Sequence, residues 1–192
     1  PAIDGTWVLV PGGAVADVNR LTALGRWFAR GAAHGRPDVL LASPYIRARD
    51  TARLFRDAGG CDPDEPICLD ERLREKEFGI IDGLTTSGIA ALQPEQAALR
   101  RLLGKFYHRP PGGESWADFV GRVQGALDSL LAQFEQPLVI AHSGVWRAIH
   151  SALYGTPHGP RTGNTLPMPV APVRAQAVPG QAADWQLLPY ER

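Results

Sequence analysis

The sequence predicts an α/β protein: a three-layer α/β/α sandwich built on a mainly parallel sheet. Three observations carry that prediction. Short apolar runs such as Val39-Leu40-Leu41-Ala42 and Leu138-Val139-Ile140-Ala141 suit strands buried on both faces. Segments with apolar residues three and four apart alternate with those runs. The run from Pro137 also delivers a histidine, His142, to the point where its strand must end, followed by Ser143-Gly144 and a helical pattern over Val145 to Tyr154. In open α/β sheets, ligands bind beyond the carboxyl ends of strands and beside helix N-termini. His142 is therefore a site candidate on position alone.

In chain order, Thr6 to Val10 reads as a first strand, stopped by Pro11-Gly12-Gly13. A helix is expected from Thr22, with Leu24, Trp27 and Phe28 on one face, ending at Arg30-Gly31. Val39 to Ala42 is the second strand, and Ser43-Pro44 is read as opening a second helix that runs to Phe55. Ile67 to Leu69 is a third, weaker strand. Glu71 to Gly83 is charged and irregular, on the surface near a site. Helices are expected at Thr85 to Leu92, at Pro94 to Leu103 and, most clearly, at Ser115 to Phe134. In the last of these, Trp116, Phe119, Val120, Val123, Leu127, Leu130, Leu131 and Phe134 form a core stripe. Six prolines between Pro157 and Pro179 mark a long irregular segment at about 156–180, and Trp185 to Leu188 reads as an edge strand. With no internal repeat or composition break, residues 1–192 are expected to form one domain.

Composition narrows the function classes. Lys plus Arg and Asp plus Glu both number 20, so no net field draws the chain to nucleic acid or to an anionic membrane. The apolar runs are too short to span a bilayer, and Pro1-Ala2-Ile3-Asp4-Gly5 lacks the features of a signal peptide, so a cytoplasmic location is the expectation. Cys61 and Cys68 are expected as thiols, and neither has metal-site spacing, so no structural metal is expected; no cofactor is expected either.

Several charged residues stand out beside His142. Arg47 lies in the first turns of a helix, where the helix dipole favours anions and not cations; an anionic ligand would remove the conflict. Glu75 is a carboxylate in the irregular stretch Leu73-Arg74-Glu75-Lys76-Glu77-Phe78-Gly79. Pro111-Gly112-Gly113-Glu114-Ser115 precedes the long helix, with Ser115 as its N-cap and Glu114 able to point at the same cleft.

Taken together, these segments resemble the histidine phosphatase superfamily, also called phosphoglycerate mutase-like. The likeness runs through Leu21-Thr22-Ala23-Leu24-Gly25, then Ser43-Pro44 with Arg47-Ala48 and Thr51-Ala52, then Leu73-Arg74-Glu75 with Phe78-Gly79 and Gly83. Gly113-Glu114-Ser115 and Ala141-His142-Ser143-Gly144 complete it. Phe106 to Trp116 is most similar to small bacterial phosphatase-type members. The resemblance implies a phosphohistidine mechanism in which a first-strand histidine attacks phosphorus and a carboxylic acid protonates the leaving oxygen. A second histidine and two arginines hold the phosphoryl group, and neutralisation of its charge drives the transfer. It further implies that Arg47 is a phosphate clamp, Glu75 the acid and His142 the second histidine, with Glu114 and Ser143 in the same pocket.

The pattern breaks at the nucleophile. Where the family has Arg-His-Gly after the first strand, this chain has Pro11-Gly12-Gly13. Glycine has no side chain to attack phosphorus, and proline has neither a guanidinium nor a backbone donor. His34, His108, His150 and His158 do not stand at a first-strand end. Gly12 and Gly13 could still offer backbone donors to an anion, and Arg47, with His142 when protonated, would keep the pocket positive.

The expectation is a histidine-phosphatase-fold protein, impaired in catalysis, that binds a small phosphorylated molecule or inorganic phosphate or sulfate. The alternatives are an active phosphomonoesterase or mutase with an altered mechanism using His142 and Glu75, and a non-catalytic regulatory or scaffold protein. Two other motifs fail on their own terms. No later glycine completes a dinucleotide-binding fingerprint after Pro11-Gly12-Gly13. Ala141-His142-Ser143-Gly144 lacks the flanking glycines of a hydrolase nucleophile elbow, and no histidine follows Asp184.

Overall fold

The structure is a computed structural model that describes residues 6–11, 18–30, 37–154, 173–176 and 184–187. Its strands are β1 (Thr6–Pro11), β2 (Val39–Ala42), β3 (Ile67–Leu69), β4 (Pro137–Ala141), β5 (Val173–Gln176) and β6 (Asp184–Leu187). Its helices are α1 (Val18–Ala29), α2 (Ile46–Asp57), α3 (Thr86–Leu92), α4 (Pro94–Tyr107), α5 (Trp116–Leu131) and α6 (Ser143–Tyr154). The strands form one sheet in the order β3-β2-β4-β1-β5-β6. The first four are parallel to one another, and β5 and β6 extend the sheet antiparallel beside β1.

The period of two along β2 and β4 sorts the core into two layers. Leu40, Ala42, Leu138 and Ile140 pack with Leu24 and Phe28 of α1 and with Ala48, Ala52 and Phe55 of α2. Val39, Leu41, Val139 and Ala141 face the other way, against Phe119, Val123, Leu127 and Leu130 of α5 and Val145, Trp146 and Ile149 of α6. The result is the expected three-layer sandwich. Burial of each large side chain contributes roughly 1.5–3 kcal/mol, so the central strands are held from both sides.

Local chemistry sets the ends of the elements. Ser115 begins α5 with a capping box: its hydroxyl accepts from the amide of Asp118, and the Asp118 carboxylate accepts from the amide of Ser115. Several boundaries differ from expectation, and three of the differences bear on the core and the sheet. Helix α1 opens at Val18 and not at Thr22, which lets Leu21 reach the core. Helix α2 opens at Ile46, because Tyr45 is extended (φ −63°, ψ 138°) and the Ser43 hydroxyl is engaged elsewhere. The proline-rich segment, expected to be irregular throughout, contains β5. Val173 to Gln176 lies between Pro172 and Pro179 and carries every amide that pairing with β1 and β6 requires.

The irregular stretch expected at 71–83 holds two single turns of 3-10 helix, Glu71–Leu73 and Gly79–Ile81. It is zipped to the 110–115 loop: Ile80 N donates to the Pro111 carbonyl at 3.0 Å and Glu114 N to the Glu77 carbonyl at 2.9 Å. Gly79 (φ 55°) makes this approach possible, because a Cβ there would strike the Pro111 carbonyl. Glu75 and Glu114 are thereby carried on two loops joined by backbone hydrogen bonds.

Candidate functional site

The carboxyl ends of three neighbouring strands converge. Pro11 pairs with Ala141, and Ser43 N donates to the Ile140 carbonyl at 2.9 Å, so β1, β2 and β4 stop at one level. His142 is the next residue beyond β4 and is 2 % exposed. Its Nδ1 lies 2.9 Å from Nη2 of Arg47 and its Nε2 lies 2.7 Å from the Ser43 hydroxyl. A guanidinium can only donate, so Nδ1 is the acceptor and the imidazole proton resides on Nε2, donated to Ser43.

Burial, reinforced by the Arg47 charge, pushes the His142 imidazole down to about 4. His142 is therefore neutral at physiological pH, so the condition under which it would add positive charge to the pocket is not met there. Arg47 supplies that charge. The Tyr45 ring completes the enclosure, with its centroid 5.0 Å from that of His142 and the Arg47 guanidinium 4.8 Å from the same ring. Tyr45 in turn donates its hydroxyl to Glu77 at 2.9 Å. Burial and this bond push the Tyr45 hydroxyl upward.

Glu75 sits at the start of α6. Its Oε2 accepts from the Gly144 amide at 3.1 Å and from the Ser143 hydroxyl at 3.3 Å, and its Oε1 accepts from the Lys76 amide at 3.0 Å. The free amides of a helix N-terminus favour a carboxylate there. Gly144 permits the contact, since a Cβ at that position would collide with the Glu75 carboxylate. The structure thus brings His142, Arg47, Ser143 and Glu75 to one place.

Glu114 is close by but differently employed. Both of its oxygens are held by Arg122, at 2.8 and 2.7 Å, and one also accepts from the Glu77 amide. Burial alone would raise its carboxyl; the Arg122 and Glu77 hydrogen bonds overcome burial and leave it below the ordinary range. Its carboxylate braces the loop. An open cleft lined by Arg74, Glu77, Arg109, Gly113 and Glu114 adjoins the Tyr45–Glu77 contact. Gly12 and Gly13 lie outside the described residues, as do His34 and His158. His108, set aside on sequence grounds, is buried and bonded to Gln96 at 3.1 Å.

Four residues of this geometry were not singled out from sequence. Ser43 was read as a helix opening and, through the resemblance, as part of the segment around Arg47, with no partner of its own, and Tyr45 was not singled out, although their place at the end of β2 beside a strand-end histidine was the available signal. Lys76 is buried, bonds the carbonyls of Glu114 and Glu77, and lies 4.5 Å from the Phe78 ring centroid. Arg122 is on the polar flank of the α5 stripe, where a charged residue ordinarily reads as solvated.

Ser143 opens α6 in ordinary backbone geometry, because no non-glycine residue has positive φ among the described residues; a strained nucleophile elbow is absent there. Among the described residues, no cluster of His, Cys, Asp or Glu could hold a metal ion, and no helix is long and apolar enough to cross a membrane.

Comparison with known proteins agrees with this architecture. The sequence pattern of the Histidine phosphatase superfamily (branch 1) matches residues 14–169. The protein named probable phosphoglycerate mutase GpmB of Enterobacter sp. (strain 638) is 36% identical over 122 residues, which cover 62% of this chain and 54% of the relative. The chain thus spans about half the length of the curated relatives it matches. Among solved structures, Bacillus stearothermophilus YhfR superposes with a TM-score of 0.69 at 20% identity, covering 96% of this chain and 95% of that one. A mycobacterial glucosyl-3-phosphoglycerate phosphatase in complex with inorganic phosphate superposes with a TM-score of 0.64 at 22% identity, covering 98% and 97%. These likenesses join the fold already described to a sequence match over most of the chain: it belongs to the histidine phosphatase superfamily, branch 1.

Proposed function

We propose that this protein binds a small phosphate-bearing molecule, or phosphate itself, beside the Arg47–His142 pair, and that it is impaired in covalent phosphoryl transfer. The observation that carries the reading is a contrast within one site. Arg47, His142, Ser143 and Glu75 are assembled at the strand ends, while from the last residue of β1 the sequence reads Pro11-Gly12-Gly13 where the family carries Arg-His-Gly. The resemblance makes Arg47 the clamp, and Arg47 is an exposed residue whose guanidinium bonds the buried imidazole.

Loss of a covalent nucleophile costs several orders of magnitude in rate, with a remainder supplied by binding and electrostatics. A slow hydrolysis by water, with Glu75 as the acid–base group and His142 beside it, is the second reading, favoured by the three donors that fix Glu75 next to His142. A hydrolysis assay across small phosphomonoesters tests the first reading. The expected rates lie on the order of 1,000-fold or more below those of an enzyme with an intact phosphohistidine cycle. Robust turnover that disappears in His142→Ala would defeat impairment and favour the second.

A further inference from the structure

We infer that His142 is a positioning residue that holds Arg47 for the ligand and does not itself touch it. The Arg47–His142 hydrogen bond stays intact when an oxyanion binds, and of the two residues Arg47 alone donates to it. This rests on the phosphate-site reading above. It departs from the role that the family resemblance implies for His142, direct contact with the phosphoryl group.

The hydrogen bonds around His142 leave it nothing to offer an anion. Arg47 Nη2 stands 2.9 Å from Nδ1 and has only protons to give, so it takes up the lone pair of that nitrogen. Nε2 carries the imidazole proton and donates it to the Ser43 hydroxyl at 2.7 Å. Ser43 is fully buried, and its own amide donates to the Ile140 carbonyl of β4, so this acceptor is fixed at the strand end. The ring is 2 % exposed, with Tyr45 packed against it. Arg47, by contrast, is an exposed residue, and a guanidinium has further N–H groups beyond the one turned to Nδ1. Its guanidinium also lies 4.8 Å from the Tyr45 ring centroid. The imidazole and the phenol ring thus hold the guanidinium in one orientation before a ligand arrives, which lowers the ordering cost of binding.

Direct contact would require Nδ1 to release Arg47 and to acquire a proton. One route adds a proton to the ring. Burial and the Arg47 charge oppose it and hold the imidazole at about 4. Among the described residues no carboxylate bonds the ring to offset them. Glu75 is turned onto the Gly144 amide and the Ser143 hydroxyl, and Glu77 holds the Tyr45 hydroxyl. The other route moves the existing proton from Nε2 to Nδ1. That sets two donors, Nδ1 and Arg47 Nη2, against each other at 2.9 Å. An oxyanion that meets Arg47 alone avoids both penalties.

Nitrogen NMR of the imidazole in the full chain, at pH 7 with and without saturating sulfate, tests this, with His142→Asn identifying the resonances. Nδ1 is expected to stay bare and Nε2 protonated in both spectra. A proton on Nδ1 in the sulfate-bound protein would overturn the inference and leave the phosphate site standing. Calorimetric titration of sulfate, in buffers of different ionisation heat, adds the proton balance. Uptake near zero is expected; an uptake of about one proton per sulfate that His142→Asn abolishes would overturn the inference. His142→Ala should weaken sulfate binding about tenfold or more, the worth of a hydrogen bond to a charged group. His142→Asn, whose carbonyl oxygen can accept from Arg47 in place of Nδ1, should recover most of that loss. Equal losses in the two variants would overturn the positioning role. Binding of neither sulfate nor phosphate by the unaltered chain would overturn the phosphate-site reading and this inference together.

Discussion

Lowering the pH from 6.5 to 4 is expected to reduce the unfolding free energy by about 3 kcal/mol through His142 alone. The folded imidazole titrates at about 4, against an ordinary value of 6.5. Between those values the unfolded chain binds a proton that the folded chain refuses, so stability rises with pH across this window. The contribution is complete above pH 6.5, is lost progressively as the pH falls, and levels off near 4; the size follows from the gap between the two values. Burial also depresses His108, which adds a change of the same sign. Glu114 and Asp70 contribute in a lower window, since depressed carboxylates lose their stabilisation only below the ordinary carboxylate range. Urea unfolding at several pH values, in the unaltered chain and in His142→Asn, isolates the His142 part. Identical pH slopes in the two proteins would show that the buried imidazole is not held neutral.

Arg122→Ala is expected to destabilise the fold by about 3 kcal/mol. Arg122 and Glu114 are both about one-fifth exposed, and their fork is bidentate. Removing the guanidinium strands a largely buried carboxylate, and breaking such a pair costs roughly 3–5 kcal/mol. Partial exposure puts this case at the lower end. Arg122 also donates to the carbonyls of Arg72 and Arg74, at 2.7 and 3.1 Å, so it holds the turn that leads into Glu75. Arg122→Lys should recover little, because an ammonium cannot reproduce the fork. Adding Glu114→Gln to Arg122→Ala should restore about half the loss by removing the stranded charge. Denaturant midpoints at constant slope measure these effects. A loss below about 0.5 kcal/mol for Arg122→Ala would place the pair among exposed ion pairs.

The elements legible in the sequence are those whose burial is written in their periodicity. The run Leu138-Val139-Ile140-Ala141 could only be a strand covered on both faces, and the α5 stripe from Trp116 to Leu131 has one reading. The site candidates Arg47 and His142 were visible because they stand where a strand gives way to a helix, whereas Glu75, in an irregular stretch, was marked out only by the family resemblance. What the sequence concealed depends on partners distant in the chain. The Ser43 hydroxyl looks like a helix cap until His142, 99 residues away, engages it. β5 is short and flanked by prolines, and it becomes a strand only because the edge of β1 is there to pair with it. The neutrality of His142 likewise follows from enclosure by Tyr45 and Arg47, which no local pattern records. Glu114 looked like a pocket carboxylate because its partner Arg122 is two helical turns further on.

In the proposed function, this site retains its phosphate-holding half and lacks its nucleophile. Hydrolysis of a small phosphomonoester by the Pro11→Arg, Gly12→His double variant, measured beside the unaltered chain, tests that claim most directly. The unaltered chain is expected to be nearly inactive and the variant to gain roughly 100-fold or more, the scale expected from returning a covalent nucleophile to an otherwise assembled site. A folded variant that hydrolyses no faster, or an unaltered chain that already turns over at the variant's rate, would contradict it.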